Sequence, residues 1–159
     1  MPSSTILYAE DDENDAFFMQ RAFTRMGRRG DLRVVLNGQL ATDYLTGAGS
    51  FANREGFPLP GLLLLDVKMP AMSGLDVLAW VRARPEFNAL PVVMLTSSTQ
   101  ETDIAFCAAH GANAYLVKPS RADTLSELMT ALLAAQPPDF TARRWLNVPG
   151  NQLLEVNPA

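Results

Sequence analysis

Four consecutive leucines, Leu62-Leu63-Leu64-Leu65, end abruptly at Asp66. A half-exposed strand alternates apolar and polar residues, so an unbroken apolar run this short reads as a strand covered on both faces. Covering both faces requires helices above and below a parallel sheet, and the rest of the chain has the matching rhythm. Short apolar runs at Ile6 to Ala9, Leu32 to Leu36, Leu62 to Leu65, Val92 to Leu95 and Ala114 to Val117 predict five strands. Between and after them, helical spacing predicts helices through Met19, Ala22, Phe23 and Met26, then over Gln39 to Leu45, Leu75 to Ala83, Glu101 to His110 and Arg121 to Ala135. Ser73 with Asp76, Ser98 with Glu101 and Ser120 with Asp123 each place a hydroxyl three residues before an acid, the sign of a capped helix start.

The reading is therefore α/β, a doubly wound five-stranded parallel sheet. At 159 residues there is room for one such domain, placed over residues 1–136. Residues 137–159 follow Pro137-Pro138 and form a tail with an apolar cluster, Trp145, Leu146 and Val148, read as a dimerisation arm or as packing on its own domain. Thr46 to Pro60, with its glycines and prolines, reads as a long loop.

Composition excludes several functions. A net charge of −4 and a pI near 4.9 argue against a surface for DNA, where affinity comes from neutralised phosphates. Cys107 is the single cysteine, so neither an intrachain disulfide nor a thiol metal site is expected, which suits a reducing, cytoplasmic compartment. No apolar run approaches the roughly 20 residues of a membrane span.

In an open parallel sheet, functional groups collect beyond the carboxyl ends of the strands. Here the first strand runs into Glu10, Asp11 and Asp12, the third into Asp66, the fourth into Thr96 and Ser97, and the fifth into Lys118 and Pro119. Two carboxylates about 4 Å apart repel by roughly 4 kcal/mol at an effective dielectric near 20, so such a rim needs a cation. A hard divalent ion such as Mg2+ fits oxygen ligands, and Lys118 fits a phosphate oxygen. Asp66, at the end of the most buried strand, is the expected nucleophile toward phosphorus, with Thr96 donating to the phosphoryl oxygens. Each residue has a plainer reading when taken alone. Glu10, Asp11, Glu13 and Asp15 suit a helix N-terminus, and Lys118 suits solvent. Their coincidence at four strand ends favours one site.

The stretches Ile6-Leu7-Tyr8-Ala9-Glu10-Asp11-Asp12, Leu64-Leu65-Asp66-Val67-Lys68-Met69-Pro70 with Gly74, Pro91-Val92-Val93-Met94-Leu95-Thr96-Ser97 and Gly111 to Pro119 resemble the receiver domain of two-component response regulators. The resemblance implies a flavodoxin-like (βα)5 fold with strand order 2-1-3-4-5. It implies phosphorylation at Asp66, a metal site of Glu10, Asp11, Asp66 and the Lys68 carbonyl, phosphoryl contacts from Thr96 and Lys118, and a switch pair of Thr96 and Tyr115. The implied cofactor is Mg2+, and the implied donor is a sensor histidine kinase or a histidine phosphotransfer protein. With the long loop and the tail, the chain is most similar to small stand-alone regulators that partner bacterial phytochromes, which adds a homodimer to the expectations. The rival readings are an interaction module of receiver fold that works without phosphorylation, and a phosphatase of the aspartyl-phosphate type. The phosphatase needs a second Asp two residues after the first, where Lys68 stands.

Overall fold

The computed structural model describes residues 4–119, 121–134, 144–148 and 152–156, the last two segments and Ala122 as backbone alone. Five parallel strands are present: β1 (Ile6–Ala9), β2 (Leu32–Val35), β3 (Leu62–Leu65), β4 (Val92–Thr96) and β5 (Ala114–Val117). They alternate with α1 (Glu13–Arg25), α2 (Gly38–Thr46), α3 (Gly74–Arg82), α4 (Glu101–Ala109) and α5 (Ala122–Ala134). The order is β2-β1-β3-β4-β5, the doubly wound order expected from the sequence.

The leucine run shows why the sheet needs both layers. Leu63 and Leu65 pack with Ala41, Tyr44 and Leu45 of α2, Val77, Leu78 and Val81 of α3, and Cys107 of α4. Leu62 and Leu64 point to the other face, against Met19, Ala22 and Phe23 of α1 and Leu128, Met129 and Leu132 of α5. All four leucines are fully buried, each contributing on the order of 1.5–3 kcal/mol of transfer free energy.

The sheet does not stop at β5. Two further strands, β6 (Arg144–Val148) and β7 (Gln152–Val156), extend it, β6 parallel to β5 and β7 antiparallel to β6. The sequence reading placed no strand in this tail. In register, Ala114 and Tyr115 face Trp145 and Leu146, so the outer edge of β5 is paired by the chain's own tail.

The 46–60 loop is ordered by a side chain that sequence patterning passed over. The Arg54 guanidinium donates to the carbonyls of Tyr44, Leu45 and Phe57 at 2.7, 2.8 and 3.1 Å. It thereby adds a donor at the C-terminal end of α2, where Tyr44 O also accepts from Gly47 N, and ties the loop at Phe57 to that end. Tyr44 meets Phe51 at a tilt and Phe57 edge to face, and donates its hydroxyl to Pro58 O.

The helix starts are only partly those expected. Ser73 and Asp76 form a reciprocal capping box on α3. Ser98 does not cap α4: the N-cap position is Gln100, which has no side-chain cap bond, and the Ser98 hydroxyl donates to Asp103 at 2.7 Å. Ser98 stands two residues ahead of the cap position, where its oxygen meets the Gln100 amide in a local turn instead. Ser120 lies outside the described residues. Asp12 and Asn37 are the side-chain caps of α1 and α2.

Candidate functional site

Backbone bonds beyond the strand ends fix where the chemistry sits. Glu10 N donates to Val35 O, Asp66 N to Ala9 O and Lys118 N to Thr96 O, so each of these residues continues the ladder by one step. Their side chains then meet at one edge. The Lys118 ammonium contacts a Glu10 carboxylate oxygen directly, Asp15 Oδ2 at 2.8 Å and Asp66 Oδ2 at 2.9 Å. Glu10 is wholly buried and accepts from the Tyr8 hydroxyl at 3.1 Å. Asp66 is nearly buried, 7% exposed, at the sheet rim, while Asp11 is exposed.

The loop after Asp66 packs closely against the end of β3. Gly74 opens α3 hard against β3: a Cβ there would lie 1.9 Å from the Asp66 carbonyl oxygen. Ala71 holds a positive φ of 65°, costly for a residue with a Cβ, beside a Met72 N to Pro70 O bond of 2.7 Å.

Carboxylate oxygens of Glu10, Asp11 and Asp66 all lie within 4.8 Å of one another. Three oxygen donors of formal charge −3, facing one ammonium, are the donor set of a hard divalent cation, so the residues fit the metal that the sequence implied. Lys68 is exposed and lines the open cleft above the site together with Asp11, Met69, Pro70, Ser73, Gln100 and Asp103. Thr96 is buried, its oxygen accepting from Ser98 N at 3.2 Å. Tyr115 lies inside, donating its hydroxyl to Ser98 O at 2.9 Å, and burial pushes its phenol up to about 12.

The structure therefore gathers Glu10, Asp11, Asp66, Thr96 and Lys118 around one point, with Lys68 at the rim and Tyr115 one layer back. Asp12 turns away to cap α1, accepting from Asn14 N and Asp15 N. Asp15, read from sequence as a helix-start acid, reaches Lys118. Asp11 lies ahead of the Asp12 cap, outside the helix, so no helical spacing in the sequence marked the contact between Asp15 and Lys118.

Crowding divides the protons unevenly. Burial, and then the hydrogen bond shared with Asp66, push Glu10 from the ordinary 4.5 up to about 8, against the pull of Lys118. Burial alone would raise Asp66 too, but the bonds from Glu10 and Lys118 and the lysine charge outweigh it and hold Asp66 low. Burial would lower Lys118, yet its bonds to Asp15, Glu10 and Asp66 raise it.

These directions give a pH dependence. The folded chain keeps a proton on Glu10 that the unfolded chain releases above about 4.5. That stabilisation is complete below pH 4.5 and is lost as pH rises through about 8. Asp66 acts in the opposite sense, but only as pH falls through the ordinary aspartate range, and Lys118 only in the alkaline range, so Glu10 governs the interval between. Metal-free protein is expected to lose stability, read as a falling melting temperature, from about pH 5.5 to 8.5. Millimolar magnesium is expected to restore most of it at the higher pH. Thermal melts showing a rise in stability over this range without metal would contradict the assignment.

Residues 6–130 match the response regulator receiver domain, and the chain belongs to that family. Among its relatives, the probable methanogenesis regulatory protein FilR2 of Methanothrix harundinacea is 35% identical over 114 residues, 72% of this chain and 71% of the relative. Response regulator Rcp1 of Synechocystis is 29% identical over 131 residues, 82% of this chain and 87% of Rcp1. Its Mn2+-bound crystal structure superposes with a TM-score of 0.70 at 28% identity, covering 82% of this chain and 91% of that one. The crystal structure of RPA3017, a response regulator in red light signalling of R. palustris, gives a TM-score of 0.77 at 33% identity, covering 84% of this chain and 93% of its own. Among the described residues no helix is long and apolar enough to cross a membrane.

Proposed function

We propose that this receiver domain accepts a phosphoryl group on Asp66 from a phosphohistidine, carried by a sensor kinase or a phosphotransfer protein. The observation that carries the reading is the meeting, at the end of β3, of the Asp66 carboxylate with the Lys118 ammonium and with the oxygens of Glu10 and Asp11. An Asp66 oxygen bonds to phosphorus as the P–N bond of the donor breaks, and the departing imidazole takes a proton. Glu10, Asp11, Asp66 and the Lys68 carbonyl would hold Mg2+, which supplies shielding of the phosphoryl charge. Lys118 neutralises one phosphoryl oxygen, and Thr96 donates its hydroxyl to another. Thr96 and Tyr115 would carry the altered charge to the β4–α4 loop, where Tyr115 already holds Ser98 O. The phosphoryl group then shifts the balance of two states by its differential affinity for them.

The likeness to a regulator of red light signalling supports a kinase partner of the bacterial phytochrome type, and this reading places the reaction in the cytoplasm. Signalling runs through protein contacts or onward phosphotransfer. The test is a phosphotransfer profile against purified histidine kinases, including a phytochrome kinase: rapid transfer from the phytochrome supports this partner, and faster transfer from another kinase replaces it.

The tail bears on assembly. A chain ending at Gln136 loses β6 and β7 and uncovers the edge of β5. If the tail builds a homodimer, light scattering on this truncation is expected to give the monomer mass where the full chain gives twice that value. An unchanged number of subunits would count against the arm.

A further inference from the structure

An ammonium group has three hydrogens to donate, and Lys118 meets three acceptors, Glu10, Asp15 and Asp66. A phosphoryl group arriving on Asp66 brings oxygens that need the same ammonium, so one existing contact has to open. The three partners are held very differently. The Glu10 side chain is wholly buried, with the Tyr8 hydroxyl and Asp12 N also directed at it. Asp66 carries the incoming group. Asp15 alone is substantially open, its side chain 38% exposed in the first turn of α1, and it can swing into water without leaving a buried charge.

We propose that Asp15 is a positioning residue which holds the Lys118 ammonium toward α1 and competes for it with the phosphoryl group. Phosphorylation of Asp66 then requires the Asp15–Lys118 contact to open, which makes the first turn of α1 a brake on the reaction. The proposal rests on the phosphoryl-acceptor reading of Asp66 and adds to it a residue outside the acidic pair. Two effects act in the same sense. Asp15 occupies a donor that the phosphoryl oxygens need, and its negative charge stands beside the path of an anionic phosphodonor. Removing the charge while keeping the shape, Asp15→Asn, weakens both.

A plainer role for Asp15 is interaction with the α1 dipole, since Glu13 and Asp15 both lie in the first turn. Glu13 is exposed and supplies a control: Glu13→Gln removes the same kind of helix-end charge from a residue not among the Lys118 contacts. The sequence also supplies a clean spectroscopic probe. Lys68 and Lys118 are the only lysines, the first exposed and the second largely buried, so their Nζ resonances are separable.

The experiment measures the rate of labelling by acetyl phosphate at saturating magnesium, together with the 15N resonance of Lys118 Nζ, in wild type, Asp15→Asn and Glu13→Gln. Asp15→Asn is expected to label about threefold faster, the factor that an ion pair with one half-open partner carries. Its Lys118 resonance is expected to shift, with faster hydrogen exchange, while Glu13→Gln matches wild type in both readouts. Equal rates in all three chains, or an unmoved Lys118 resonance in Asp15→Asn, overturns the role of Asp15 and leaves Asp66 as acceptor. A wild type that takes no label at all overturns the acceptor reading, and the brake with it.

Discussion

Replacing Asp66 with Asn is expected to abolish labelling by acetyl phosphate, whereas wild-type protein with magnesium gains a single phosphoryl group. The carboxamide keeps the size of the side chain but lacks the anionic oxygen that attacks phosphorus, and it removes one of three charged donors from the metal site. Folding is not expected to suffer. Lys118 retains Glu10 and Asp15 as partners, and the loss of one negative charge removes a neighbour that, after burial itself, helps to hold Glu10 high. Intact-mass measurement reads the result directly. Equal labelling of both chains would move the acceptor to one of the neighbouring acids, Asp11, Asp12 or Asp15.

A methyl group at Gly74 should be nearly as damaging, for a different reason. Its Cβ would lie 1.9 Å from the Asp66 carbonyl oxygen, 2.8 Å from the carbonyl carbon and 3.1 Å from Val67 Cα. These are backbone atoms that no rotamer change moves aside, so either α3 retreats or the end of β3 shifts. Gly74→Ala is expected to cost about 3 kcal/mol or more of stability in urea unfolding. It should also slow phosphorylation of whatever remains folded, since the displaced segment carries Asp66. Gly30 gives the comparison: a Cβ there meets nothing within 4 Å, and Gly30→Ala is expected to stay within about 0.5 kcal/mol of wild type. Similar stability for the two variants would mean that the close approach of α3 to β3 is not as tight as described.

What the sequence disclosed, and what it hid, follows from how each feature is encoded. Leu62 to Leu65 announces a doubly covered strand because burial on both faces leaves no room for a polar residue, and neighbouring strands follow from the same rule. The rim residues were legible because Asp66, Thr96 and Lys118 stand at or directly beyond the strand ends, where position along the chain fixes position in space. Asp15 does lie in the first turn of α1, as its place in the sequence implies, but its second contact, with Lys118 across the sheet edge, is one that no local pattern records. Arg54 was missed for the same reason: three carbonyls of α2 and its loop converge on it only after folding. Ser98 had the spacing of a cap, but α4 begins so that Gln100 takes the cap position. The tail did carry a signal that was not read. Pro149-Gly150-Asn151 separates two short stretches, Arg144 to Val148 and Gln152 to Val156, the pattern of a hairpin.

The most direct test locates the phosphoryl group itself. Wild-type protein is treated with acetyl phosphate and magnesium, then reduced with borohydride, which converts an aspartyl phosphate to homoserine, and the peptides are sequenced by mass spectrometry. Homoserine is expected at position 66, with an intact aspartate at 11, 12 and 15. Homoserine at any of those three positions in place of 66, or none anywhere in a chain that has bound magnesium, would contradict Asp66 as the acceptor.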